Sequence, residues 1–206
     1  MPEGSAVVGI VRLRYVDERL ATFHEDILGY PSISACHAIG YLTTRGIYGY
    51  HNLGGESSDR WGQAPTKFGD FYRANCQPGE AGLGFYGCAH VTGQRGYKGP
   101  DKVEAWKTEL AAFASGVGWT GSIWGVDLTG LDQGGYDNTK SAYVEFRKIG
   151  VKCLIYARQW RDKEAVKTAP DARFTAIAVS KVYPTVTTSL TAGGGTLFNL
   201  DPVKLR

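Results

Sequence analysis

The sequence has no apolar run approaching the roughly 20 residues that a helix needs to cross a bilayer. It has no block of like charges of the kind that marks a nucleic-acid arm or a membrane-binding patch. Its opening, MPEGSAVVGIVRLRYVDERL, lacks the basic start, long apolar segment and small-residue cleavage site of a conventional signal peptide. Paired C-x-x-C spacing, internal repeats and a dividing linker are missing too. These absences argue against a membrane span, a nucleic-acid partner and a paired-cysteine zinc site, and they favour one undivided domain over residues 1–206.

What is present fits that outline. The 206 residues are enough for one good core, and 43% hydrophobic with 21% charged residues is ordinary globular composition. Twenty-eight glycines and a 12% aromatic content point to turns, close backbone approaches and ring packing, hence to a strand-rich fold. A net charge of +3 is mild and its basic residues are scattered. Four cysteines (Cys36, Cys76, Cys88, Cys153) allow two bridges in three pairings. The chain is not a small disulfide scaffold, however, and Cys153 sits in an apolar run, so reduced thiols in a cytosolic setting are expected.

Residues 6–16 alternate Val11, Leu13 and Tyr15 with Arg12 and Arg14, the period of a half-buried strand. Residues 36–42 and 46–51 flank Thr43-Thr44-Arg45 and read as a hairpin. The polar, Gly-rich stretch 53–82 is expected to be a long surface loop with short elements. After a strand at 83–91, GPDKVEAWKTELAAFASG is the one clear helix. Asp101 and Glu104 form a capping box, Val103, Trp106, Leu110 and Phe113 share a face, and Gly116 closes it. SIWGVDL, AYVEFRK and VKCLIYAR follow as neighbouring strands, RDKEAVKTAPDAR as a polar loop or short helix, and FTAIAVSKVY as another strand. The Gly-rich tail, 191–206, is expected to be partly mobile. The fold class is a single-domain α+β protein.

Cys36 follows Pro31-Ser32-Ile33-Ser34-Ala35, small residues that let the backbone bend and aim N–H groups at the sulfur. His51 falls near the end of the hairpin's second arm, where a neighbouring strand could bring it beside Cys36. A thiol becomes a nucleophile when a base takes its proton and a cation holds the thiolate. His37 is less suited, since adjacent strand residues point to opposite faces. Spacing alone leaves open a buried thiol and an unrelated histidine. Cys88 and His90 share a strand face, but as a zinc half-site they have only Cys76 near in sequence, and two packed core residues explain them better. Cys76 and His24 have no evident role. GWTGSIWG resembles a carbohydrate-binding surface and is equally accounted for by strand packing.

Ile33-Ser34-Ala35-Cys36 resembles the Leu-Ser-Gly-Cys signature of the cytotoxic necrotizing factor catalytic domain and of the Burkholderia lethal factor, in which a histidine follows at a comparable distance. The chain also resembles the chemoreceptor deamidase CheD, where Gly-Ser-Cys opens a hairpin that closes before a histidine. The CheD likeness runs in order through Tyr86-Gly87-Cys88-Ala89, the helix at 101–115, SIWGVDL, Gln133-Gly134-Gly135, Val144-Glu145-Phe146 and Gly150-Val151. It covers roughly residues 30 to 158, with only the hairpin being specific.

The resemblance implies a β-sandwich-like core of mixed sheets in α/β/β/α layers. It implies Cys36 as nucleophile, His51 as base, and Ser34 with the backbone of Ala35 and His37 as the oxyanion site. No metal or organic cofactor enters that chemistry. Two departures stand out: Ala35 replaces the signature glycine, and Tyr30 occupies the position of a histidine-orienting threonine. The necrotizing factors use a backbone carbonyl for that orienting task. The implied activity is protein-glutamine deamidation, with a host Rho-type GTPase, a translation helicase or a chemoreceptor as substrate. The long aromatic excursions favour a toxin or effector, made in a bacterial cytoplasm and delivered without a cleavable signal. Competing classes are a CheD-like chemoreceptor deamidase, a Cys/His peptidase or transglutaminase, and a non-enzymatic aromatic-rich binding module.

Overall fold

A computed structural model describes residues 14–16, 18–53, 62–92, 97, 99–129, 141–160 and 198–206. Two mixed sheets pack face to face. One holds five strands: β1 (Arg14–Tyr15), β3 (Ile27–Ile33), β8 (Ser141–Ile149), β9 (Lys152–Trp160) and β10 (Phe198–Leu200), side by side in that order. The other has six, in the order β11 (Val203–Lys204), β7 (Ile123–Asp127), β6 (Gly82–Ala89), β4 (His37–Thr43), β5 (Ile47–Asn52) and β2 (Ala21–His24). Helices α1 (Ala64–Asn75) and α2 (Lys102–Gly116) cover the outer face of the six-stranded sheet. The α+β class holds, and three of the four layers implied by the resemblance, α/β/β, lie among the described residues.

Strand alternation sorts side chains between two cores. Leu28, Tyr30, Ala38, Leu42, Ile47, Val144, Phe146 and Ile155 fill the space between the sheets. Ile39, Tyr41, Tyr48, Tyr50, Phe85, Trp106, Leu110 and Phe113 fill the space under the helices. Gly40 and Gly49 face each other across β4 and β5 on the inter-sheet side. A Cβ on Gly40 would enter the Phe146 ring, and one on Gly49 would meet the Tyr30 hydroxyl and Leu28. The two glycines make room for the Tyr30 and Phe146 rings, which meet at a tilt with centroids 5.0 Å apart.

The 36–51 hairpin forms as expected, with the Thr43 N–H and hydroxyl both closing its turn onto the Gly46 carbonyl. Helix α2 starts on an Asp101 cap that accepts from the Glu104 N–H at 2.9 Å. Its apolar face contains Trp106, Leu110 and Phe113, whereas Val103 is exposed. Gly116 is still helical, and the left-handed residue that ends the turn is Gly118, at φ 75°.

One expectation is corrected. The stretch 53–82 holds a twelve-residue helix, α1, rather than only loop and short elements. Gly69 in that helix rests on the Gly116 carbonyl, and a Cβ at either glycine would strike the other helix's backbone, so the pair sets the helix crossing. The end of the tail contributes two short strands. β10 extends the five-stranded sheet through Phe198–Ala157, and β11 extends the six-stranded sheet through Val203–Gly125, so the last residues step from one sheet edge to the other. Of the N-terminal strand, only Arg14–Tyr15 is seen, paired parallel to β3. Residues 6–13, RDKEAVKTAPDAR, FTAIAVSKVY and the start of the tail lie outside the described residues.

Candidate active site

The chain crosses from the five-stranded to the six-stranded sheet between β1 and β2 and again between β3 and β4. Both crossings meet the last residues of β5. The β3 crossing is prepared by a bulge: Tyr30 pairs with Val144 but Ile33 with Ala142, so β3 spends one more residue than β8. Pro31, which cannot donate to a ladder, falls inside it. Ser34 and Ala35 then bend, and Cys36 emerges just before β4.

In the β4–β5 register Ala38 faces His51 and His37 faces Asn52. Cys36, two residues before Ala38, is therefore the diagonal neighbour of His51 on the inter-sheet side. Both are buried, at 6% and 1% exposure. The β1–β2 crossing adds a third group. The Cys36 Sγ lies 3.7 Å from the Glu18 Oε1, and the sulfur, a His51 ring nitrogen and a Glu18 oxygen all fall within 4.8 Å of one another. Among the described residues, no other three His, Cys, Asp or Glu side chains gather this closely.

The imidazole is held from several sides. Its Nδ1–H donates to the Val16 carbonyl at 3.0 Å, which leaves the lone pair of the neutral ring on Nε2. The His51 carbonyl accepts from the Arg19 N–H at 2.6 Å, and its N–H donates to the Leu20 carbonyl at 3.2 Å. Arg19 has φ 65°, a conformation unusual for a residue with a Cβ and costing about 1–3 kcal/mol. That left-handed turn lets one short crossing present Val16, Glu18 and Leu20 to the same histidine. Tyr30 stands edge-on to the His51 ring at 6.3 Å, its hydroxyl donating to the Ile39 carbonyl at 2.7 Å. Burial, with Cys153 and Cys88 nearby, pushes the Tyr30 phenol well above its ordinary range, so it stays a donor.

The expected site residues divide. Cys36, His51 and Tyr30 come together, and Ser34 and Ala35 form the bend beside the thiol, Ser34 partly covered and Ala35 exposed. The His37 side chain points to the helices. There Glu109, fully buried, accepts from the His37 Nδ1–H at 3.0 Å, from Asn52 Nδ2 at 2.6 Å and from the Tyr97 hydroxyl at 2.6 Å. The Trp106 indole N–H donates to the His37 Nε2 at 2.8 Å. Since indole only donates, His37 is the neutral Nδ1–H tautomer with both nitrogens engaged. Burial alone would raise the Glu109 carboxyl; the hydrogen bonds that His37, Tyr97 and Asn52 donate to it favour its anion and hold the group below its ordinary value. Cys88 sits in the inter-sheet core, where burial and the Asp127 charge push its thiol well up. Burial likewise raises Cys153.

Val16, Glu18 and Glu109 are the residues that sequence reading missed. Glu109 left a trace: it lies three residues after Trp106 and one before Leu110, a charge on the apolar stripe of α2. Val16 and Glu18 left none, because only the chain crossing brings them to His51. No family model matches the chain, and neither a curated protein nor a solved structure does.

Proposed function

We propose that the protein is a cysteine-dependent acyl-transfer hydrolase, and specifically a protein-glutamine deamidase. The observation that carries this reading is the diagonal Cys36–His51 pair, with the imidazole's Nδ1–H tied to a carbonyl so that Nε2 can take a proton. His51 removes the thiol proton and the sulfur attacks a glutamine side-chain carbon. The bend at Ser34–Ala35 supplies N–H donors for the oxyanion, each worth about 3 kcal/mol in the transition state. The protonated ring hands its proton to the leaving nitrogen, ammonia departs and a thioester remains. Water, deprotonated by the same ring, releases the target's new glutamate and restores the thiol. Val16 takes the orienting part that a threonine or carbonyl plays in the resembled enzymes.

Conversion of a neutral side chain into an anion can disable a regulatory surface by repulsion or desolvation. This chemistry suits a toxin or effector acting on a host GTPase or translation helicase, or an enzyme acting on a chemoreceptor. No helix among the described residues is long and apolar enough to cross a membrane. Intact-mass analysis of such targets after incubation should show a gain of about 1 Da per event, from replacement of NH2 by OH. An added primary amine should not be incorporated, which separates this reading from a transglutaminase. Targets of all three classes left at their starting mass would refute it.

A further inference from the structure

We infer that the Glu18–Cys36–His51 cluster is a binding site for a borderline-soft divalent cation of the zinc class, and that such an ion switches the thiol off. Three donors of different kinds, carboxylate oxygen, sulfur and imidazole nitrogen, converge from three separate chain segments. The spacing suits a shared ion. Zinc bonds of about 2.3 Å to sulfur and about 2.0 Å to oxygen, at a tetrahedral angle, separate the two ligands by about 3.5 Å. The observed Cys36–Glu18 distance is 3.7 Å.

A second observation points the same way. A metal-binding imidazole commonly donates its other ring N–H to a carbonyl or carboxylate, which fixes the tautomer and aims the lone pair. The Val16 carbonyl does this for His51 at 3.0 Å. Charge supplies the third argument. Without an ion the Cys36 thiol donates to the Glu18 carboxylate; once the thiol proton is lost, thiolate and carboxylate together balance one divalent ion beside a neutral imidazole. The mixed sulfur, nitrogen and oxygen set selects zinc-like ions over magnesium or calcium, which prefer oxygen alone.

Binding proceeds with loss of the thiol proton to solvent and formation of a metal–sulfur bond. Three protein ligands leave the fourth tetrahedral position to water. The sulfur lone pair needed for attack is then engaged. The inhibitory consequence rests on the thiol reading of the site, whereas the binding itself does not.

Cobalt(II) added to the metal-free full chain should give a near-ultraviolet thiolate-to-metal absorption band that saturates at one ion per chain and bleaches with zinc. Cys36→Ser should abolish the band. His51→Ala and Glu18→Gln should each weaken cobalt affinity at least about tenfold, and Cys76→Ser, at a half-buried thiol on the end of α1, should change nothing. With the unaltered chain, which needs no variant to fold, stoichiometric zinc should slow iodoacetamide labelling of the Cys36 peptide at least about tenfold. An absent band, a band that survives Cys36→Ser, unchanged affinity in Glu18→Gln, or labelling indifferent to zinc would each overturn the proposal. Cobalt titration involves no target protein, so its failure leaves the deamidase reading standing, and targets of unchanged mass leave the metal site standing.

Discussion

Cys36 and His37 are neighbours in sequence, as are His51 and Asn52, yet each pair is split between the two faces of one sheet. On the inter-sheet face, His51 is tied through Nδ1 to an uncharged carbonyl and has a thiol and a carboxylate in front of it. Under the helices, His37 is tied through Nδ1 to a carboxylate, and its Nε2 accepts from an indole. Both rings are buried, with first contacts of 3.0 Å. The difference lies in what gathers around each ring. A ring joined at both nitrogens to a carboxylate and an indole is a structural joint, whereas a ring gathered with a thiol and a carboxylate is placed to move a proton.

The comparison breaks most directly at His51. His51→Ala should slow iodoacetamide labelling of Cys36 and any target turnover by about 10²- to 10⁴-fold, the range for loss of a general base. His37 changes should not reproduce that loss in molecules that remain folded. Next in size, Glu109→Ala strands three buried donors and should cost about 3–5 kcal/mol by urea unfolding. The Cys36 labelling rate of the folded population should be unchanged. If labelling fell as far as with His51→Ala, the two faces would be one functional unit.

A smaller effect is expected from Gly49→Ala, which pushes a methyl into the Tyr30 hydroxyl and Leu28. Overpacking of this kind costs about 1–3 kcal/mol. Because Tyr30 stands against His51, a fall in Cys36 labelling should accompany it. The gentlest probe is acid. The Glu109 carboxyl is lowered from an ordinary value of 4.5, so its stabilisation is complete above that value and is lost as pH falls through the depressed one. Melting temperature measured downward from pH 5 should drop more steeply in the parent than in Glu109→Gln.

Much of the fold was legible because it obeys short-range rules. The hairpin at 36–51 alternates around a polar turn, and Asp101 caps a helix with a regular apolar stripe. Helix α1 was hidden because Pro65 and Gly69 interrupt a segment whose other residues are half polar. Its glycine is explained only by a partner, Gly116, that lies 47 positions away. The end of the tail was hidden for a similar reason, since β10 and β11 are short edge strands whose order comes from β9 and β7. For the site, strand parity separated His51 from His37 in advance. Val16 and Glu18 were illegible, because a chain crossing between sheets has no period of its own and its side chains gain meaning only from what they land beside.

The left-handed turn at Arg19 gives the molecule an unusual division of labour. A polypeptide begun at Leu20 would keep every strand of the six-stranded sheet and both helices, with the sulfur and the imidazole still mounted on them. It would lack the carbonyl that aims the ring and the carboxylate that faces the sulfur. The groups that meet the sulfur and the imidazole from outside are thus carried by a short strap, apart from the scaffold that holds the two residues.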